Sequence, residues 1–239
     1  MNRFASAAAA VVICVASWAN PAAAQNSGCV ATSVTQARYD LARFGTGLRH
    51  TPRNMVRRRN LEWEIPVALG AAALIGAADR HASNQVTSAS LQSNSSLASN
   101  IGLGLELGAS GAAWLAGCHK QDDGLRSTGE MALEAAGVAQ LLDLGLKEAF
   151  RRVRPNGKNE PGDFWDGGSS FPSGHATVSF AIASVVAHRA HRRWIKWGAY
   201  GLATAVTAAR FGARKHFLSD LVIGSTLGYV TGTYLSEPH

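Results

Sequence analysis

The sequence predicts an all-α protein, a bundle of about six core helices, on two observations. The chain has 239 residues and holds 25 glycines and many alanines but only 7 prolines. That composition suits closely packed helices better than a sheet rich in Val, Ile and Thr. Six apolar segments follow one another along the chain, separated by polar stretches. A chain of this length can bury one sizeable core, and a second domain would be cramped.

Residues 1–24 are typical of a secretory signal peptide. Arg3 supplies a positive first region, residues 5–18 form an apolar core, and the alanines at 22–24 precede Gln25 as a cleavage site. The apolar core is shorter than the ~20 residues of a membrane span, which favours cleavage over an uncleaved anchor helix. We therefore expect export to the periplasm. An N-terminal arm over residues 25–60, with a short helix at 35–44, then precedes a helical domain over residues 61–239.

Cleavage would remove Cys14 and leave two cysteines, Cys29 and Cys118. In an exported chain these two can form one disulfide that ties the arm to the helical domain. Two unrelated buried thiols are the alternative, and the sequence does not choose between them. No spacing of Cys and His resembles a zinc site.

The apolar segments bear on whether the chain enters a membrane. They cover residues 65–78, 102–118, 131–146, 176–187, 197–209 and 221–235, with polar connections expected at 83–100 and 156–170. Their lengths of about 12 to 17 residues fall short of the ~20 that the hydrocarbon core requires, and the mean hydropathy is −0.01. A soluble or surface-bound domain is therefore favoured. The basic turns near Arg57 and His188 also suit the cytoplasmic side of a membrane, so an embedded domain stays open as the alternative.

The charge and one short motif point to an anionic ligand. The formal net charge of +7 attracts phosphates, nucleic acid or a lipid surface, without choosing among them. The motif Phe171-Pro172-Ser173-Gly174-His175 precedes an apolar run and predicts a loop that turns into a helix. A helix start presents unpaired N–H groups and the positive end of the helix dipole, which favour an anion. His175 there can exchange a proton near neutral pH.

A second cluster of cations precedes this motif. Lys147, Arg151 and Arg154 are spaced to share one face of a helix that Pro155 would end. The stripe would then lie beside the loop that leads to His175. A solvated basic face is the alternative.

A third cluster runs from Arg210 to Asp220. His216 and Asp220 are four residues apart, so at a helix start both side chains point the same way. A carboxylate on one imidazole nitrogen fixes the tautomer and leaves the other nitrogen free as a base or nucleophile. A purely structural His–Asp hydrogen bond is the alternative.

An up-and-down bundle would bring the three clusters together. The segment that ends near Arg154 delivers its cations to one end of the bundle. The chain returns to that end at His175, descends, and comes back through 197–209 to Arg210 and His216. Three patterns found independently therefore converge on one pole, which argues against coincidence.

The combined signature resembles the phosphatidic acid phosphatase type 2 superfamily, which includes class A acid phosphatases and vanadium-dependent haloperoxidases. The signature has three parts. It consists of Lys147 and Arg154-Pro155 with six residues between them, then Pro172-Ser173-Gly174-His175, then Arg210 with His216 and Asp220. One departure is visible, because Ala209 stands where the family usually has serine, and a secondary hydrogen bond is lost there.

The resemblance implies a fold like that of the acid phosphatases and haloperoxidases, and a role for each matched residue. His216 would be the nucleophile that takes the phosphoryl group, Asp220 would orient its ring, and His175 would be the general acid. The phosphoryl oxygens would be held by Lys147, Arg154, Ser173, Gly174 and Arg210. No metal and no cofactor is expected, although vanadate could bind as a phosphate mimic.

The substrate expected from the resemblance is a phosphomonoester, with lipid phosphates and diphosphates among the candidates. Contact to a membrane surface is expected, and none to nucleic acid. A membrane-embedded lipid phosphatase is the first alternative. A vanadate-dependent haloperoxidase is a second, although such relatives are generally much longer. A non-catalytic anion-binding module is a third, but it leaves Asp220 behind His216 unexplained. The loop at 156–170, with Phe164, Trp165 and Asp166, is expected to rim the pocket.

Overall fold

The computed structural model describes residues 70–71, 73–157 and 161–236. These residues fall within one compact unit and contain no strand, so the predicted all-α class is confirmed. A π-helical turn, Leu74–Ala78, is followed by six α-helices. They are α1 (Asp79–Asn84), α2 (Ala89–Lys120), α3 (Asp123–Phe150), α4 (Gly174–Arg189), α5 (Arg193–Gly212) and α6 (Leu218–Ser236). The predicted signal peptide, the N-terminal arm and its helix lie outside the described residues.

Helices α2 to α6 contain the last five predicted apolar segments, and each extends beyond its segment. Polar residues set several of the boundaries. The Ser88 hydroxyl accepts the Leu91 N–H at 3.3 Å, and the Asp122 carboxylate accepts the Leu125 N–H at 2.9 Å. Both are N-cap contacts, which satisfy amides that the first turn of a helix leaves unpaired.

The predicted polar connection at 83–100 is wrong for residues 89–100, which form the first third of α2. Small polar side chains allow this stretch to pack closely against α5. A Cβ on Gly212 would lie only 2.7 Å from the Ser95 hydroxyl, and Ser99 is fully buried. Packing of small residues therefore outweighs the weak helix propensity of Ser and Asn.

Helix α4 lies at the centre of the bundle and packs against α3, α5 and α6. Its apolar face meets an alanine-rich face of α3, formed by Ala132, Ala135, Ala136 and Ala139. On its other side α6 approaches through glycines. A Cβ on Gly228 would lie 2.1 Å from the Thr177 carbonyl oxygen, and one on Gly232 would lie 2.3 Å from the Ala181 carbonyl oxygen. The alanines of α3 and the glycines of α6 thus provide the close helix packing that the composition predicted.

Helix α2 is the one described helix that is long and apolar enough to cross a membrane, judged by length and composition. Only 22% of its most apolar window is buried, and Leu97, Ile101, Leu105 and Leu115 are each more than half exposed. The estimate of 12 to 17 residues per apolar segment therefore underestimates this helix, because the Ser/Asn-rich stretch extends it to 32 residues.

Candidate active site

One end of the bundle collects the predicted site residues. The ends of α3 and α5, the starts of α4 and α6, and the loop at 151–173 meet there. Four contacts show the convergence. The Ser173 N–H donates to the Asp220 carbonyl at 3.1 Å, and the Lys147 ammonium donates to the Pro172 carbonyl at 2.6 Å. Arg210 Nη1 donates to the Ser99 hydroxyl at 3.2 Å, and a ring nitrogen of His216 lies 2.7 Å from the Ser170 carbonyl oxygen.

The predicted helical stripe of three cations is wrong. Helix α3 ends at Phe150, and Arg151 caps it in the left-handed region with φ 42°. Arg151 is exposed, whereas Arg154 reaches the site from the loop. The loop is held by backbone bonds of its own, from Val153 N–H to the Asp163 carbonyl and from Ser170 N–H to the Arg152 carbonyl, both 2.8 Å. The helix therefore stops four residues earlier than Pro155 would require.

Lys147 sits in the last turn of α3, mostly buried. Its ammonium donates to the Asp143 carboxylate, one turn earlier, and to the Pro172 carbonyl. Burial lowers the pKa of Lys147 and raises the pKa of Asp143, while each charge partly offsets the effect on the other. The pair fixes the lysine against the loop that carries the Pro-Ser-Gly-His motif.

The start of α4 is shaped by close packing. Ser173 is the N-cap residue and is fully buried, and its hydroxyl has no hydrogen-bond partner in the described part of the chain. A Cβ on Gly174 would lie 2.7 Å from Asp143 Oδ2, so only glycine fits there without displacing the carboxylate. The first amides of α4 have no intrahelical acceptor, and the Ser173 hydroxyl is available to an anion beside them.

His175 is surrounded by positive charge. Its Nε2 lies 3.0 Å from Asn100 Oδ1 of α2, and that acceptor places a proton on Nε2. Burial, together with the nearby charges of Arg210, His216, Lys147 and Arg154, lowers the pKa of His175 to about 3. Four cationic or titratable side chains from four different segments therefore act on this imidazole.

Arg154 and Arg210 add two guanidinium charges near His175. Burial, together with the charge of the neighbouring Arg154, lowers the pKa of Arg210 to about 10. The Nε of each guanidinium is buried without a hydrogen-bond partner among the described residues. Two neighbouring guanidiniums with unused N–H donors can bind an anion.

His216 is fully buried, in the turn just before α6. Its Nδ1 lies 2.7 Å from the Ser170 carbonyl oxygen and 3.8 Å from Asp220 Oδ2. Burial lowers the pKa of His216 to about 4, although Asp220 opposes the shift. Burial also opposes ionisation of Asp220, but His216, Arg152 and the Ser170 hydroxyl outweigh it and hold the pKa of that carboxyl below its usual range. A neutral imidazole beside a charged carboxylate results.

The structure adds residues that the sequence patterns did not single out. Ser99 and Asn100 lie in the stretch expected to be a connection, and Asp143 and Ser170 flank the first two motifs. Arg152 is fully buried behind Asp220. The spacing of Asp143, one helical turn before Lys147, is the one sequence signal that could have identified any of them.

Phe164 and Trp165, expected at the rim of the pocket, lie differently from each other. The Phe164 ring packs edge-on against Phe150 and Phe171, with centroids 6.2 and 5.7 Å away. Trp165 is 72% exposed, with φ 61°. Phe164 is therefore part of the packing beneath the loop, whereas Trp165 points to the outside.

Cys118, near the end of α2, is disulfide-bonded. Its partner lies outside the described residues, so the predicted pairing with Cys29 stays a prediction.

The fold and the site define a class of protein: a helical bundle with two histidines and three cationic side chains gathered at one end. Residues 131–237 match the PAP2 superfamily, and this range holds every predicted site residue. The match over this part of the chain confirms the resemblance that the sequence signature suggested.

A curated relative and two solved structures are similar to this chain. Lipid A 1-phosphatase of Porphyromonas gingivalis is 27% identical over 103 residues, which cover 42% of this chain and 21% of that relative. The match thus spans about a fifth of the relative's length. The transmembrane PAP2 type phosphatidylglycerolphosphate phosphatase of Bacillus subtilis has a TM-score of 0.52 at 22% identity, covering 72% of this chain and 92% of that one. LpxE of Aquifex aeolicus has a TM-score of 0.50 at 22% identity, covering 64% and 89%. These two likenesses show the fold.

Proposed function

We propose that this protein is a phosphatase that hydrolyses phosphomonoesters through a phosphohistidine on His216, without a metal ion. One observation carries the proposal. A neutral, buried His216 with a charged carboxylate behind it lies close to His175 and three cations, and two of those cations keep unused donors. The match of residues 131–237 to the PAP2 superfamily and the phosphatases among the relatives support the same reaction class.

The first step forms the covalent intermediate. The lone pair of His216 Nε2 attacks phosphorus while Nδ1 keeps its proton toward the Ser170 carbonyl. The bond between phosphorus and the ester oxygen breaks, and its electron pair leaves with the alkoxide. His175 donates a proton to that oxygen, so the product is a neutral alcohol.

The second step returns the enzyme to its starting state. Neutral His175 takes a proton from a water molecule, whose oxygen attacks phosphorus. The N–P bond breaks and its electron pair returns to His216, which releases inorganic phosphate. The same two histidines therefore serve both halves of the reaction, with His175 first an acid and then a base.

Charge stabilisation is the main contribution of the remaining residues. Lys147, Arg154 and Arg210 would hold the phosphoryl oxygens, with the Ser173 hydroxyl and the Gly174 N–H at the start of α4. Phosphoryl transfer depends chiefly on positioning and on neutralising charge in the transition state. Because these side chains are already fixed by burial and hydrogen bonds, little reorganisation is needed when the substrate binds.

The substrate we propose is a lipid phosphate, with the protein associated with a membrane. The relatives named for lipid A and for phosphatidylglycerolphosphate support that substrate class. The exposed apolar face of α2 supports contact with lipid, because an apolar surface of this kind marks an interaction site. A periplasmic location also remains part of the proposal, on the strength of residues 1–24.

A panel assay tests the function directly. Purified protein would be given lipid phosphates, diphosphates, nucleotides, sugar phosphates and p-nitrophenyl phosphate, and released inorganic phosphate would be measured. We expect turnover that is lost in His216→Ala and kept in His191→Ala, an exposed histidine at the opposite end. Acid-labile phosphate on the protein should be trapped in the wild type and in His191→Ala but not in His216→Ala. Phosphate release by His216→Ala at the wild-type rate would refute the assignment of His216 as the nucleophile.

A further inference from the structure

Arg152 is the largest fully buried side chain in the described part of the chain. Its guanidinium lies between two aromatic rings, 4.8 Å from the centroid of Phe164 and 4.3 Å from that of Phe217. Such cation–π contacts hold the plane of the guanidinium in place. An arginine so deeply buried requires partners for its charge and its donors.

Every nitrogen of that guanidinium is used. Nε donates to the Gly162 carbonyl at 3.1 Å, and Nη2 donates to Asp79 Oδ2 at 2.8 Å. Nη1 donates to Asp220 Oδ1 at 2.5 Å and to the Ser219 hydroxyl at 2.8 Å. Arg152 therefore links the carboxylate behind His216 to a second carboxylate that the family signature does not contain.

Asp79 begins α1, outside the range that matches the family. It is fully buried, and its Oδ1 accepts the Ser219 N–H at 3.0 Å while its Oδ2 accepts the Ser219 hydroxyl. Ser219 is the neighbour of Asp220 in the first turn of α6. Asp79 thus accepts hydrogen bonds from the same turn that carries Asp220, although it lies in a different part of the chain.

Asp220 has little freedom left within this network. Its Oδ1 is held by Arg152, and its Oδ2 accepts from the Ser170 hydroxyl and from the Phe217 N–H at 2.9 Å. The hydrogen bonds fix the distance of 3.8 Å to His216 Nδ1. Two carboxylates and one guanidinium also leave one net negative charge behind the ring, which favours the positive charge that His216 carries once it is phosphorylated.

We propose that Asp79 and Arg152 are a positioning pair for catalysis, which fixes the geometry and charge of Asp220 and through it the reactivity of His216. The inference rests on the proposed function, in which His216 is the nucleophile. Neither residue touches the substrate. The competing role is a structural brace between α1, the loop and α6, with no influence on the histidine.

Other charges also face His216, and the test must separate them from this pair. They come from the helices packed around the ring: Asp220 of α6, Lys147 of α3, Arg210 of α5 and His175 of α4. None of these is changed in Asp79→Asn, which removes one negative charge at the far side of Arg152. Arg152→Met removes the positive charge instead.

The two variants should shift the titration of His216 in opposite directions. With Asp79→Asn the charge of Arg152 is less balanced, so the acidic limb of the kcat profile should move to lower pH. With Arg152→Met two carboxylates remain behind the ring, so the limb should move to higher pH. Each shift should be on the order of one pH unit for a charge held within a few ångströms of its neighbour in a buried cluster. We expect kcat to fall about 10-fold or more in both, with KM within about 2-fold of the wild type.

Two further variants serve as controls, one at Arg80, next to Asp79, and one at Arg152 itself. Arg80→Met breaks the exposed Arg80–Asp163 ion pair, which lies next to Asp79 in sequence and involves the same loop, and it should leave the limb and kcat unchanged. Arg152→Lys keeps the positive charge but loses the several N–H donors of the guanidinium, and it replaces Arg152→Met if that variant does not fold. It should keep the wild-type limb but lower kcat.

A readout without turnover separates this inference from the proposed function. The His216 imidazole would be titrated by NMR in the wild type, Asp79→Asn and the Arg152 variants, together with thermal melts. Opposite displacements of the His216 titration support the positioning pair even if the panel assay finds no phosphatase activity. A His216 titration that is unchanged in Asp79→Asn, or a loss of activity that only follows the loss of folded protein, would assign the pair to a structural brace and overturn the proposal.

Discussion

His216 Nδ1 lies 2.7 Å from the backbone carbonyl oxygen of Ser170 but 3.8 Å from the carboxylate of Asp220. The carbonyl can only accept, so the proton sits on Nδ1 and Nε2 is left as the free nucleophile. Asp220 then acts through its charge rather than as the hydrogen-bond partner that the four-residue spacing predicted. Orientation and charge are therefore supplied to the ring by two different groups.

Because the Ser170 carbonyl orients the ring and Asp220 supplies charge, Asp220→Asn should lower the activity without abolishing it. The Ser170 carbonyl should still hold the ring, while the negative charge that stabilises phosphohistidine is lost. We expect kcat/KM to fall by roughly 10²–10³, the usual effect of removing one electrostatic contact with a transition state. The measurement is phosphate release by Asp220→Asn, set against His216→Ala, which should be inactive. If both variants are folded and equally inactive, the separate roles of the Ser170 carbonyl and Asp220 would be contradicted.

His175 should matter in proportion to how poor the leaving group is. An alkoxide needs a proton as it departs, whereas p-nitrophenolate is stable without one. His175→Asn should therefore lose about 10²–10⁴-fold on an alkyl phosphate and much less on p-nitrophenyl phosphate. The comparison of kcat on the two substrates checks the role. Losses that are the same for both would argue for a role in binding rather than in acid catalysis.

The pH dependence follows from the surroundings of the two histidines. Activity should fall below about pH 4, because His216 must be neutral and burial lowers its pKa to about 4. The pKa of His175 is lowered to about 3, so above that pH its proton must arrive with the substrate monoanion. The second pKa of a phosphate group is about 6, which places the alkaline limb of kcat/KM there. A profile that is flat from about pH 4 to pH 9 would contradict the mechanism.

The sequence predicted the bundle and the meeting of the three motifs because apolar periodicity and helix alternation depend on local patterns. It missed Ser99 and Asn100, since a Ser/Asn-rich stretch has the composition of a connection and becomes helical only through contact with Gly212 of α5. It also missed the end of α3 at Phe150. Arg152 must enter the core to reach Asp220, 68 residues further along the chain, and no local signal contains that contact.

Gly174 should be intolerant of even a methyl group. A Cβ there would lie 2.7 Å from Asp143 Oδ2, and Asp143 holds the Lys147 ammonium. We expect Gly174→Ala to lower kcat/KM by about 10-fold or more through displacement of that lysine. Gly201→Ala is the matched control, because it lies within α5 with no heavy atom within 4 Å of its Cβ. That variant should keep activity and gain roughly 0.5–1 kcal/mol of stability, the usual benefit of Ala over Gly inside a helix.

The outer face of α2 supplies the test of membrane association. Leu97, Leu105 and Leu115 are each 61% exposed, and apolar side chains gain about 25 cal/mol for each Å² that leaves water. Replacing the three by Gln should move the protein from the membrane fraction to the soluble fraction while preserving kcat on p-nitrophenyl phosphate. Gln at the exposed positions Ser90, Ser93 and Asn94 of the same helix should leave the distribution unchanged. If the wild-type protein is recovered in the soluble fraction without detergent, and binds no vesicles, the apolar face of α2 has another partner.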